Sequence, residues 1–143
     1  MSTYWDQTTC NITNGTGFQL SVADIPNLDH GEYGTYPRSV GSNATAYSDF
    51  VAQSTNGSEI GPVGSLSFGL PDGTQLNISF DQEFPVGQES TFTAALSGSR
   101  AGSYGLSISD SWDSWHGQGT RWTVALTLSS GPGDSSASCS YTR

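Results

Sequence analysis

The chain has no lysine. Thirteen carboxylates face only four arginines (Arg38, Arg100, Arg121 and Arg143), giving a formal net charge of −9 over 143 residues. A field of that sign repels phosphate backbones and anionic headgroups, which excludes nucleic acid and acidic membranes as electrostatic partners. Long apolar runs are also missing, and none reaches the roughly 18 residues that a spanning helix needs. Helix-forming material is scarce: one methionine stands against eighteen glycines, and no window repeats the i, i+3, i+4, i+7 pattern.

Signatures of catalysis are equally thin. The two histidines, His30 and His116, sit in turn contexts without His-Glu-X-X-His spacing. No Gly-X-Ser-X-Gly elbow is present. Asp81 and Glu83 could be set up as a glycosidase pair, but Phe80-Asp81-Gln82-Glu83-Phe84 reads as the end of a strand. Asp24, Asp29, Glu32, Asp110 and Asp113 read as loop carboxylates, yet no ordered calcium-ligand loop emerges from them. The expectation is a non-enzymatic chain with no metal and no cofactor.

What is present is alternation. Leu66, Phe68 and Leu70 alternate with small or polar residues, and Leu76, Ile78 and Phe80 do the same beyond Pro71-Asp72-Gly73. Period-2 patterning on both sides of such a turn predicts a β-hairpin with one buried face. The pattern recurs at Phe18-Leu20-Val22, Phe92-Ala94-Leu96, Tyr104-Leu106-Ile108 and Trp122-Val124-Leu126-Leu128. It recurs more weakly at Cys10-Ile12, Tyr47 to Ala52 and Cys139-Tyr141. Turn chemistry separates nearly all of these runs. The alternate positions are mostly Ser and Thr, as on antiparallel strands with one solvated face. The reading is all-β: a single-domain antiparallel β-sandwich over residues 1–143. A flexible connector at 129–138 precedes a pinned C-terminal strand carrying Cys139.

Cys10 and Cys139 lie near opposite ends of the sequence and are expected to form a disulfide, because a β-domain often brings its ends together. Five Asn-X-Ser/Thr sequons, at Asn11, Asn14, Asn43, Asn56 and Asn77, are candidate glycosylation sites. Together they point to a secreted protein. The aromatic-rich segment Asp110 to Trp122 holds Trp112 and Trp115 in what reads as a polar, glycine-flanked loop. Indoles with one wet edge suit glycans and the membrane interface, but they also suit a plug over the end of a sandwich.

Several segments taken in order resemble the aegerolysin family, most closely its small bacterial branch that supplies one component of binary insecticidal crystal toxins. Asn14-Gly15-Thr16-Gly17-Phe18-Gln19-Leu20 is similar to the family's Asn-X-Thr-Gly opening. Gly31-Glu32-Tyr33 ahead of Pro37-Arg38-Ser39-Val40, and Phe50-Val51-Ala52-Gln53-Ser54, resemble its next two segments. Gly61-Pro62-Val63-Gly64-Ser65 resembles the paired-glycine motif, and Phe80-Asp81-Gln82-Glu83-Phe84-Pro85-Val86-Gly87 the aromatic-Asp-X-Pro-aromatic-X-Gly segment. There are departures. Val63 stands where the family frequently has Glu, Phe84 where it often has Trp, and one residue is inserted around Gln82-Glu83.

The resemblance implies a compact sandwich that binds a neutral membrane lipid, a sterol or a receptor. It also implies a toxin or pore-forming component acting with a larger partner protein. The expected contact residues are Trp112, Trp115 and Phe84, with Asp81 and Tyr33 as polar neighbours. A carbohydrate-binding, lectin-like module rests on the same Trp pair and is the alternative.

Overall fold

A computed structural model describes residues 6–55, 58–115 and 119–143, with the backbone alone for Trp115. Ten strands fold into two five-stranded sheets packed face to face. They are β1 (Asp6–Gly15), β2 (Ser21–Asp24), β3 (Glu32–Thr35), β4 (Ala44–Gln53), β5 (Val63–Gly69), β6 (Gln75–Asp81), β7 (Glu89–Ser97), β8 (Tyr104–Trp115), β9 (Gly119–Ser130) and β10 (Ser136–Thr142). One sheet runs β3-β4-β1-β9-β8 and the other β10-β7-β6-β5-β2. All pairings are antiparallel except β1 with β9, which run parallel from Asp6↔Thr120 to Gly15↔Ser129. The single-domain β-sandwich expected from the alternation is what forms.

Alternation sets the faces. Along β1 every second residue from Asp6 to Asn14 is buried, and β5, β6, β7 and β9 repeat the pattern. The predicted hairpin is β5–β6, in register from Val63↔Asp81 to Gly69↔Gln75. Its turn holds because Gly73 takes a φ of 92°, which a residue with a side chain adopts at a cost, and because Asp72 Oδ1 accepts from Thr74 N–H at 2.9 Å.

Ring contacts run without a break through the core. Tyr33 meets Phe50 edge-on at 6.2 Å, Phe50 lies 5.9 Å from Phe80, and Phe80 stacks on Phe92 at 6.3 Å. Phe92 then meets Trp122 at 6.2 Å, Trp122 meets Tyr141 at 4.8 Å, and Tyr141 stacks on Trp112 at 5.2 Å. Such pairs add about 0.5–1.5 kcal/mol each beyond the area they bury. Two of the residues singled out from the sequence, Tyr33 and Trp112, belong to this chain of rings, which continues from Tyr33 to Tyr36 at 5.1 Å.

Three expectations are corrected. Trp112 is in a strand rather than a loop: β8 pairs with β9 without interruption from Tyr104↔Ser130 to Trp115↔Gly119. The strongly alternating β9 supplies a template, and the face that begins with buried Leu106 and half-buried Ile108 continues along it to exposed Asp110 and Trp112. The acidic residues read as loop carboxylates are likewise mostly strand residues, Asp24 in β2, Glu32 in β3, Asp110 and Asp113 in β8. Asp110 accepts from Trp122 Nε1 at 2.9 Å, and Asp113 pairs with Arg121 at 3.1 Å.

Thirdly, Cys10 and Cys139 are free thiols. Cys10 is registered between Phe50 and Val124 in one sheet, while Cys139 is registered against Phe92 in the other. Facing sheets stand about 10 Å apart, whereas a disulfide needs Cα atoms within about 4.4–6.8 Å. Between β9 and β10 only residues 131–135 lie outside strands, and β10 is held along its length by β7.

Candidate functional site

Strand register brings a particular set of residues to one end of the sandwich. Asp6, Gln53 and Thr120 mark that end in the first sheet, and Val63, Asp81 and Thr142 mark it in the second. The two sheets are tied together there by Gln82, which is fully buried. Its Oε1 accepts from Thr8 Oγ1 at 2.8 Å, and its Nε2 donates to Thr120 O and Tyr141 Oη, each at 3.0 Å. A buried amide with its donors and acceptor all engaged fixes the position of its surroundings.

Beside Gln82 the chain passes so close that only glycine fits at position 61: a Cβ there would overlap the Gln82 carbonyl oxygen. The same Cβ would lie 3.0 Å from Asp6 Oδ2. Asp6 is itself fully buried. Its backbone exchanges hydrogen bonds with Ser54, and its Oδ1 accepts from Thr120 N–H at 2.9 Å. Oδ2 has no hydrogen-bond partner among the described residues. Burial pushes the Asp6 carboxyl up to about 6, against the opposing pull of the Thr120 N–H and the Arg143 charge.

Over this base opens a recess of about 460 Å³. Its walls come from the β2–β3 loop (Asp29, His30), the segment before β5 (Glu59, Ile60, Gly61, with Val63), and the end of β6 with the residues just beyond it (Asp81, Gln82, Glu83, Phe84, Pro85). Four of these side chains are carboxylates. Asp81 Oδ1 is buried without a partner among the described residues. The Glu83 carboxyl is pushed up to about 7, first by its hydrogen bond with the Asp81 carboxyl, then by burial, then by the negative charges of Asp81 and Asp6.

The rim is apolar. Ile60 is 54% exposed and Val86 72% exposed, and Phe84 is half-buried between them in the chain. Arg143 fastens the Phe84–Val86 segment. Its guanidinium lies 5.4 Å from the Phe84 ring centre, its Nη2 donates to Phe84 O at 3.0 Å, and its carbonyl accepts from Gly87 N–H at 3.0 Å. The Nη1 donates to Thr120 Oγ1 at 3.1 Å, joining the rim to the base. Trp112, 41% exposed, reaches the same end through Tyr141, on which it stacks and which Gln82 holds.

Of the residues singled out from the sequence, Asp81 and Phe84 therefore line one recess, and Trp112 is linked to its floor. Tyr33 lines a neighbouring recess with Leu28, Gly31, Glu32 and Tyr36. Its hydroxyl is buried without a partner among the described residues, and burial pushes it up to about 12. The side chain of Trp115, together with His116 and Asn56, lies outside the described residues. Of the remaining sequons, Asn43 is exposed, and Asn11 and Asn77 are half-buried. Asn14 is fully buried, and its Nδ2 donates to the carbonyls of Phe18, Val40 and Gly41. A glycan on that nitrogen is incompatible with this fold.

Sequence reasoning missed Asp6, Glu59, Ile60, Gln82 and Arg143, and it set Glu83 aside after weighing it with Asp81 as a glycosidase pair. One signal was available: Asp6 occupies an inward position of the series Asp6-Thr8-Cys10-Ile12, where a carboxylate is out of place.

No protein-family model matches this sequence, and no curated protein matches it. Solved structures do share its fold. The crystal structure of the lipid binding protein Nakanori superposes with a TM-score of 0.65 at 13% identity, covering 86% of this chain and 70% of Nakanori. That of RahU protein in complex with a TRIS molecule gives 0.64 at 14% identity, covering 89% of this chain and 96% of RahU. At these identities the likeness is one of fold, the aegerolysin-like sandwich.

Proposed function

We propose that this protein is a non-enzymatic membrane-lipid-binding sandwich that docks the end carrying Ile60, Phe84, Val86 and Trp112 onto an uncharged or zwitterionic bilayer surface. The observation that carries the reading is this group of apolar side chains at one end of the sandwich, with Ile60, Val86 and Trp112 exposed and Phe84 half-buried. They are held there by a buried network that runs from Gln82 through Tyr141, Thr120 and Arg143. Singly exposed apolar residues are ordinary, but several grouped at one end of a strongly acidic chain mark an interaction surface. Aromatic and aliphatic tips around polar groups suit the headgroup boundary of a bilayer. The lipid-binding relative of the same fold lends support.

In this reading the protein is secreted and acts as a toxin or pore-forming toxin component together with a larger partner. A neutral lipid, a sterol or a receptor is what it recognises. The test is flotation with vesicles that vary neutral phospholipid, sphingolipid and sterol in the absence of anionic lipid. Retention on at least one composition is expected. Retention on none, with selective binding on a glycan array, would transfer the surface to the lectin-like alternative.

A further inference from the structure

We propose that docking of this end is proton-linked, so that the protein binds an uncharged bilayer surface more tightly as the medium turns acidic, with the Asp81–Glu83 carboxyl pair as the sensor. The inference rests on the docking reading above and adds its regulation.

The geometry is a matter of what lies between the apolar contacts. Ile60 and Phe84 line, and Val86 adjoins, the recess whose walls also carry exposed Asp29 and Glu59 and half-buried Asp81 and Glu83. A surface that covers the rim also covers those carboxyls and removes their water. Removing water from a carboxylate is costly unless a donor replaces it. Here donors are short: Asp81 Oδ1 and, behind Gly61, Asp6 Oδ2 are buried with none among the described residues. The neutral form escapes most of that cost. Asp81 and Glu83 line the same wall of the recess, and the Asp81 carboxyl favours a proton on Glu83 beside it.

Charged and titratable groups face the pair from each neighbouring element. Asp29 and His30 come from the β2–β3 loop, Glu59 from the segment before β5, Asp6 from β1 and Arg143 from the end of β10. Negative groups outnumber positive ones in that set, so the field around the pair favours proton uptake. In the free protein Glu83 already titrates at about 7 and Asp6 at about 6. A docked state that dries them holds the proton more firmly, and linkage then requires affinity to rise as pH falls. One proton taken up on docking changes affinity by at most about tenfold per pH unit.

The experiment is flotation and surface-plasmon titration with vesicles of phosphatidylcholine, sphingomyelin and cholesterol in equal parts, at pH 8, 7, 6 and 5.5. For the wild-type chain we expect affinity to rise by up to about fivefold from pH 8 to 7 and about twofold from pH 7 to 6, because Glu83 already takes up its proton near 7 in the free protein. Asp81→Asn and Glu83→Gln, which imitate the protonated pair, should bind at pH 8 nearly as tightly as the wild type does at pH 5.5, with a flattened profile. Asp134→Asn, at the opposite end of the sandwich, should retain the full slope. A slope lost in His30→Gln but kept in Asp81→Asn and Glu83→Gln would assign it to histidine charging and overturn the carboxyl sensor. Docking that is independent of pH, or weaker in acid, overturns the proton linkage while leaving the docking reading intact. Absence of docking at every pH removes the docking reading itself. An unchanged slope in both Asp81→Asn and Glu83→Gln overturns their assignment as the sensor.

Discussion

Gln82 is the residue on which the shape of the candidate site depends, and replacing it by leucine removes its amide at nearly constant volume. Three hydrogen bonds disappear: one accepted from Thr8 and two donated, to Thr120 O and Tyr141 Oη. At about 1 kcal/mol each the loss is about 3 kcal/mol, and the Thr8 hydroxyl and Thr120 carbonyl are left buried and unpaired. The leucine regains about 1 kcal/mol by apolar burial. Gln82→Leu should therefore cost about 2–3 kcal/mol in urea unfolding. Thr8→Val alone, which strands Gln82 Oε1, should cost about 1–2 kcal/mol. The double variant should cost about 1 kcal/mol less than the sum of the two, because removing both partners of a buried bond is cheaper than removing one. A Gln82→Leu loss under 1 kcal/mol, or strict additivity in the double variant, would refute the claim that this amide ties the two sheets together.

Gly61→Ala should destabilise by more than about 2 kcal/mol in the same assay, since its Cβ overlaps the Gln82 carbonyl and backbone must move; an effect near zero would contradict that contact. Stability should also depend on pH with a defined sign. Asp6 and Asp49 are raised to about 6 and Glu83 to about 7, each chiefly by burial except Glu83, where the Asp81 hydrogen bond leads. Between about pH 4 and 7 the folded state thus binds more protons than the unfolded one, so stability falls as pH rises through that window. Asp72, held low by the Tyr104 hydroxyl, opposes this weakly from the surface. The urea midpoint should be higher at pH 5 than at pH 8, and Glu83→Gln should narrow the gap; a higher midpoint at pH 8 would contradict the burial of these carboxyls. Finally, Cys10 is fully buried and burial holds its thiol well above its usual range, so a thiol reagent should label it only after unfolding. Rapid labelling of native Cys10, or a mass lower by two hydrogen atoms without reduction, would contradict the free-thiol arrangement.

The β5–β6 hairpin was legible because two independent signals coincide, period-2 alternation and a turn sequence that needs its glycine at a positive φ. The full length of β8 was not legible. Asp110-Ser111-Trp112-Asp113-Ser114-Trp115 is polar by composition, and it becomes strand only because β9 lies beside it in register. The parallel β1–β9 pair was hidden for a similar reason: it joins segments more than a hundred residues apart, and no local pattern records that. At the candidate site, Phe84 and Asp81 stood out through a resemblance. Glu83 and Gln82 in the same segment did not, because whether a polar side chain is solvated or buried depends on the opposite sheet. Arg143 and Ile60 could be found only once the two sheets were packed together.

The most direct test of the account is vesicle flotation of the Ile60→Ser/Val86→Ser double variant beside the wild type. Both side chains are mostly exposed, at 54% and 72%, so neither change should alter folding. Each removes an apolar contact that docking would bury, worth about 1 kcal/mol for a half-covered aliphatic chain, and together they amount to roughly a thirtyfold loss of affinity. The account predicts wild-type protein rising with vesicles of an uncharged composition, and the double variant remaining below them with an unchanged melting temperature. A double variant that floats as well as the wild type would contradict docking through this end of the sandwich.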